Sequence, residues 1–511
     1  MIAFLLPFVI SFGVNTDLVG LWLDRSQGLY TAFFRSCLFA LVSSFVNTFL
    51  GLQLAISLRR IPLVSRIGTL LSVLLLPVLL GNVTISYIFK CSLYGTSFFD
   101  FIISGGKWTQ FITLIVIQFW QYGFLFIYLF WLSIQQISES KSVYALSVKM
   151  SDKEIIRDII FPSVKILFIL LFVINFIFAF YELAKCQFIF KMSQGLDTEL
   201  LSQALSRIHN SDSMSNPVLS ESFMFKSGLL ITLFVTLLVT ACAYSLYKLF
   251  YKIRKKSYIF ISAPARLGNG VAIVCVLFII MPIVVAFIRS VYTFSLELMS
   301  EIVAPLIMTI VSAFFASALA IAFGVAYRIV LNKFSEMLSI KSVALLLCVF
   351  LLQLIPPACI VICGYKWMSL AGYKGIMPYV VWIWGHPILT FPILASFIIA
   401  THFIVSRNEI DWLEVHGMAK RDVIKYSFLK RFKKDYVLTF LFAFTFIWND
   451  VTLNKILSDK IPSFADKMQR LFVGRATNDA QATLYALIAL FIAISCIVLW
   501  KSVIKQITTV K

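Results

Sequence analysis

Runs of about twenty apolar residues recur along this chain, and they constrain its fold more than any other feature. A helix needs roughly 20 mostly apolar residues to cross a bilayer with every backbone amide satisfied internally. Such runs cover, approximately, 33–57, 67–89, 110–134, 163–183 and 224–249 in the first half, after a shorter run over 1–15. The second half carries 269–288, 302–327, 342–365, 377–404, 435–453 and 481–500. The run from Met1 to Val14 is short and has no basic segment before it, so it reads either as a truncated span or as a signal-like segment. Of the 511 residues, 60% are hydrophobic and only 13% charged, against about 45–50% and about 25% in soluble proteins. So few charges cannot clothe a water-facing surface of this size, which excludes a soluble enzyme, and so apolar a chain does not stay disordered. The expected fold is an all-α polytopic membrane protein of about 12 transmembrane helices.

A net charge of +20 would point to nucleic acid in a soluble protein. Here the charges follow the loops. Of 44 Lys and Arg, 28 fall in the segments 58–66, 139–165, 248–268, 328–341 and 406–434 and in the C-terminal tail. The cluster Lys252, Arg254, Lys255, Lys256 and the run Lys430, Arg431, Lys433, Lys434 both belong to that set. Basic loops stay in the cytoplasm, so these segments are expected on the cytoplasmic face, and the charge is a topology signal with no nucleic-acid partner implied. Nine Cys without paired short spacings make no disulfide framework, and Cys359 and Cys363 read as helix packing. His209, His386, His402 and His416 form no metal-ligand spacing, and Gly105-Gly106-Lys107 lacks the rest of a Walker loop. Any ATP that drives this protein is hydrolysed by another chain.

Two of the basic loops repeat each other. Shifting Lys149-Met150-Ser151-Asp152-Lys153-Glu154-Ile155-Ile156-Arg157 by 268 lays it on Gly417-Met418-Ala419-Lys420-Arg421-Asp422-Val423-Ile424-Lys425. The same offset brings Lys165 onto Lys433, Glu182 onto Asp450 and Arg60 onto Arg328. A run this long in one register argues for duplication. Six expected spans separate the loops, an even number, so both lie on one face. The halves, 1–256 and 257–511, then form parallel repeats about an axis along the membrane normal, with a pathway expected between them. In each loop the apolar residues, such as Ile155, Ile156, Ile159 and Ile160, recur between charges at helical spacing. Pro162 is placed to open the following helix, and Gly417 to take the φ > 0 turn that frees a short helix from its predecessor. Such a helix lies in the lipid interface or docks in a partner's groove. Two matched copies favour a partner that also comes in two copies.

At these residues the chain resembles the binding-protein-dependent ABC permeases of the type I fold, whose EAA loop reads roughly E-E-A-A-x-x-x-G, then about a dozen residues, then Leu-Pro. The first copy, over 140–165, keeps Ala145 and Phe161-Pro162 but has Lys149 at the Gly position; the second, over 408–433, keeps Gly417 but has Leu429-Lys430 for Leu-Pro. Gly51-Leu52-Gln53-Leu54-Ala55 closed by Arg59-Arg60 is similar to the family's second helix. Leu76-Pro77-Val78-Leu79-Leu80 and Leu354-Ile355-Pro356-Pro357 are similar to the Pro-containing helix that follows in each half. The resemblance implies a fused permease of the bacterial inner membrane, two copies of an ATPase subunit bound to the loop helices, and a substrate-binding protein on the opposite face near 185–222 and 454–480. It implies no cofactor in this chain, ATP being bound by the partners, and no enzymatic activity of its own. ATPase coupling would fall to Met150, Glu154, Ile155, Arg157, Gly417, Met418, Asp422, Val423 and Lys425. Ferric iron is the cargo the resemblance ranks first, with thiamine, polyamine or phosphonate as alternatives.

Glu182 and Asp450 are acidic groups near span ends. They read as interfacial residues satisfied by water or by Lys185 and Lys455, or as contacts in the pathway. Asn175 and Asn449 read as hydrogen-bond glue between helices. A secondary transporter driven by an ion gradient is the chief rival and would need titratable groups buried in mid-span. A membrane-embedded enzyme would need clustered acids, His or metal ligands, which the sequence does not offer.

Overall fold

A computed structural model describes residues 29–61, 70–93, 106–135, 147–180, 265–290, 299–334 and 479–508, together with isolated positions elsewhere, among them 96–97, 100–101, 182, 200, several in 231–248, 383, 415, 417–419, 422, several in 440–448, and 464. Every element among them is helical. In chain order these are α1 (Leu29–Leu58), a 3₁₀ turn (Leu71–Leu75) running into α2 (Leu76–Leu79), α3 (Gly81–Leu93), α4 (Gly106–Gln118), a π turn (Phe119–Gly123) and α5 (Phe124–Gln135). Then come α6 (Asp152–Glu154), a π segment (Ile155–Ile160), α7 (Phe161–Phe180), α8 (Ala265–Ser290), α9 (Met299–Phe334) and α10 (Asp479–Thr508).

Four helical stretches among the described residues are long and apolar enough to cross a membrane: Leu29–Leu58, Trp108–Gln135, Gly268–Ile288 and Val303–Ala322. Two bent pairs raise the count to six if each is one span. The chain is thus a helical, multi-pass membrane protein. The expected runs at 1–15, 342–365 and 377–404, and most of 224–249 and 435–453, lie outside the described residues.

The expected run 67–89 is not one straight helix. The chain bends by 99° between Leu71–Leu79 and Gly81–Leu93, with Gly81 at φ 71°. A side chain at that angle would set Cβ against the following carbonyl, so glycine permits the break. The loop helix also differs from expectation. Asp152–Lys165 and Leu167–Phe180 follow each other with no loop between them and are bent by 51°, so the loop helix runs directly into the span after it. Pro162 falls in the first turn of the α-helical part, where a wide π segment gives way to a tighter helix and a missing N–H is tolerated.

The core of the first half is aromatic, with Trp120, Trp131, Tyr128, Phe124, Phe126, Phe130, Phe168 and Phe176 all fully buried. α1 lies along α5 and α7, and Gly51 permits the closest approach: a Cβ there would stand 3.0 Å from the Phe126 Cβ. In the second half Ile273, Val274, Leu277 and Met281 of α8 and Phe314 and Phe315 of α9 face outward, as lipid-facing residues do.

Several described helix ends meet. At one end Gln135 Nε2 donates to the carbonyls of Arg59 (2.7 Å) and Ile61 (3.0 Å), so α1 and α5 finish together. Arg59 pairs there with Asp152. A Cβ on Gly268, at the start of the α8 span, would lie 2.8 Å from the Ser57 carbonyl oxygen. Arg59, Gln135, Asp152 and Gly268 therefore lie at one end of the described helices. At the other end the Phe33 and Phe180 rings meet edge to face at 5.8 Å.

Candidate functional site

The end that holds Arg59 and Asp152 carries the first of the repeated loops. Its sequence Ser151-Asp152-Lys153-Glu154 forms a capping box. Ser151 Oγ accepts from the Glu154 amide at 3.4 Å, while the Ser151 N–H (2.7 Å) and Oγ–H (2.8 Å) both donate to Glu154 Oε2. Those two bonds hold the Glu154 carboxyl below the usual carboxylate range. Asp152 Oδ1 meets Arg59 Nη2 and its Oδ2 meets Arg60 Nη2, each at 2.8 Å. Arg157 grips its neighbour Asp158 through Nε (2.8 Å) and Nη2 (2.6 Å). Ile156 and Ile160 are buried, whereas Met150, Glu154, Ile155 and Arg157 are half-buried and Lys153 is exposed.

Lys149, three residues before this loop helix, has φ 53°, the one positive φ among described residues other than glycine. Gly417, its counterpart at the offset of 268, has φ 80°. Each turn is followed by two residues outside any helix, Met150-Ser151 and Met418-Ala419. Asp422, the counterpart of Glu154, is helical and exposed, and its amide donates to the Ala419 carbonyl at 2.8 Å. Val423 and Lys425 lie outside the described residues, as do Asp450, Asn449, Lys185 and Lys455. The copies differ at the cap. Ala419 has no hydroxyl where Ser151 has one, and Lys420 stands where Asp152 holds its two arginines.

A second cluster is buried between the spans. Asn47 Nδ2 donates to Asn175 Oδ1 (3.2 Å) and to the Gln118 carbonyl (3.5 Å), and Asn175 Nδ2 donates to Ser44 Oγ (3.3 Å). Asn175 does join helices, as its position in an apolar run implied. Glu182 is 3% exposed and is the buried carboxylate among the described residues; it lies close enough to Tyr122 to interact electrostatically. Nothing in the sequence reading had singled out the π turn that holds Tyr122. Its signal was the pair Gln118 and Gln121 inside an otherwise apolar run.

The π turn also reaches the second half. Pro282 in α8 has no N–H, which leaves the Phe278 carbonyl four residues earlier without its helical donor. The Trp120 indole Nε1 donates to that oxygen at 3.1 Å. Pro282's own carbonyl accepts from Ser92 Oγ at 2.8 Å, and the Tyr87 and Thr483 hydroxyls share a 2.7 Å bond. The broken span 71–93 therefore lies against α8 and α10. Among the described residues no three His, Cys, Asp or Glu gather as a metal site would require. No family model, curated protein or solved structure matches the chain.

Proposed function

We propose that the chain is the fused permease subunit of an ATP-driven importer in the bacterial cytoplasmic membrane. In this reading two ATPase subunits grip the loop helices at 152–160 and around 422. Their closure rocks one half against the other, so that a pathway between the halves opens to alternate sides. The observation that carries the reading is the matched left-handed turn at Lys149 and Gly417, each leading into a charged helix start at the same offset. The first loop helix runs directly into α7, which supports a path by which a pull on residues 152–160 reaches a span. The Arg59–Asp152 pair supports the same picture by joining that helix to α1. Met150, Glu154, Ile155, Arg157, Gly417, Met418, Asp422, Val423 and Lys425 are the proposed coupling residues, with charges setting register. A substrate-binding protein delivers cargo on the opposite face. Ferric iron is the first cargo by resemblance, with thiamine, polyamine and phosphonate as the alternatives.

The buried carboxyl of Glu182 favours a second reading, a secondary transporter driven by an ion gradient. One experiment separates the two. Transport in cells that requires a co-expressed ATPase, and that is lost when Glu154 and Asp422 are both reversed to Lys, supports the importer. Uptake driven by an ion gradient in vesicles holding the purified chain alone overturns it.

A further inference from the structure

Two irregular pieces of backbone meet inside the first half. The broken span turns at Gly81, and the span Trp108–Gln135 widens into its π turn at Phe119–Gly123. A side-chain bond joins them: Gln121 Nε2 donates to Asn82 Oδ1 at 2.7 Å. Gln121 is 2% exposed, yet its Oε1 has no hydrogen-bond partner among the described residues. Asn47, fully buried, likewise has no partner on Oδ1, its Nδ2 being held by the Gln118 carbonyl of the residue just before the π turn. Asn82 is only half-buried, so the pair is not sealed from outside. A carboxamide oxygen kept dry and undonated in a bilayer protein is unfavourable unless something fills it part of the time. π turns and helix breaks are where membrane transporters put such sites.

We propose that Gln121 and Asn82 form a binding site for an organic ammonium cation at the junction of the broken span and the π turn. The vacant atoms are acceptors, so the ligand must donate, and ammonium N–H groups suit amide oxygens. A buried carboxyl, Glu182, interacts electrostatically with Tyr122 of the same turn. The described buried residues include no Lys, Arg or His that would hold an anion. Neutral amides also serve a metal ion less well than clustered carboxylates or imidazoles. The inference rests on the transport reading only in treating the bound cation as cargo, where it would favour the polyamine or thiamine class over ferric iron and phosphonate.

The test is thermal melting of the full purified chain in lipid nanodiscs, titrated separately with spermidine, thiamine, Mn²⁺, ferric ion and methylphosphonate. The expected result is a saturable rise in midpoint with spermidine or thiamine. Gln121→Leu should weaken that binding about tenfold or more, the loss of a hydrogen bond to a charged group. Gln121→Lys should abolish it, and the near-isosteric Gln121→Glu should keep or tighten it, with its unliganded midpoint as the control for folding. Stabilisation by methylphosphonate or a metal ion in place of the amines, no response to any probe, or equal amine affinity in the wild type, Gln121→Leu and Gln121→Lys would overturn the site. No ATPase takes part, so the importer reading can fail its own test while this one stands.

Discussion

Lys149 and Gly417 share a left-handed backbone, φ 53° and 80°, at positions 268 residues apart. For lysine this conformation carries Cβ strain that glycine does not feel. Lys149→Gly should therefore stabilise the chain by up to about 1 kcal/mol, and Gly417→Ala should destabilise it by about 1 kcal/mol. Melting midpoints of the two variants, run side by side in one detergent, check both signs. Equal shifts of the same sign would remove the shared turn.

The first loop is tied to α1 by one carboxylate. Asp152 is 41% exposed while Arg59 is only 10% exposed, so a double-mutant cycle of Asp152→Asn with Arg59→Gln should give a coupling of about 1 kcal/mol, the upper end for ion pairs at a surface. The coupling should shrink as salt rises toward 1 M. A coupling that is absent at low salt would mean the pair does not hold the loop.

Acid should release the cap. The folded Glu154 carboxyl sits below its ordinary value because the Ser151 N–H and Oγ–H donate to it. Its contribution is then fully present above the unfolded value, about 4.3 for glutamate, and is lost as pH falls through the lower folded value. Hydrogen exchange read at the Glu154 amide, and corrected for intrinsic rate, should lose protection across that window. Ser151→Ala should flatten the profile, and an unchanged profile would count against the cap.

Trp120 and Pro282 should show compensation. Trp120→Phe leaves the Phe278 carbonyl without a donor, a loss of about 1–3 kcal/mol. Pro282→Ala restores an N–H four residues on, so adding it to Trp120→Phe should recover much of the stability. Strict additivity of the two, measured by melting, would show that the indole bond to Phe278 carries little.

How far the sequence could be read depends on which forces act locally. Apolar run length marked the chain as a helical membrane protein and located four long apolar helices among the described residues; loop charge gave an expected sidedness. Both are properties of the chain against bilayer and water, and need no knowledge of neighbours. Gly417 was legible for a similar reason, since φ > 0 is a preference of the residue itself. Lys149 was not, because nothing in a lysine announces that turn; only the offset to Gly417 points to it. Ser151 and Glu154 spell a capping box that could have been read from spacing alone.

The break at Gly81 and the π turns at Phe119–Gly123 and Ile155–Ile160 were decided by tertiary structure. Their sequences suit a regular helix as well, and side chains at two of these irregular places bond to another helix. Trp120 finds the oxygen that Pro282 leaves open 158 residues later, and Asn82 finds Gln121. By itself the sequence determined that this chain lives in a membrane and that two of its loops match in register. Which helices break, and which buried amides meet, followed only from packing, because a hydrogen bond in an apolar interior is chosen by whatever complementary group the fold brings within reach.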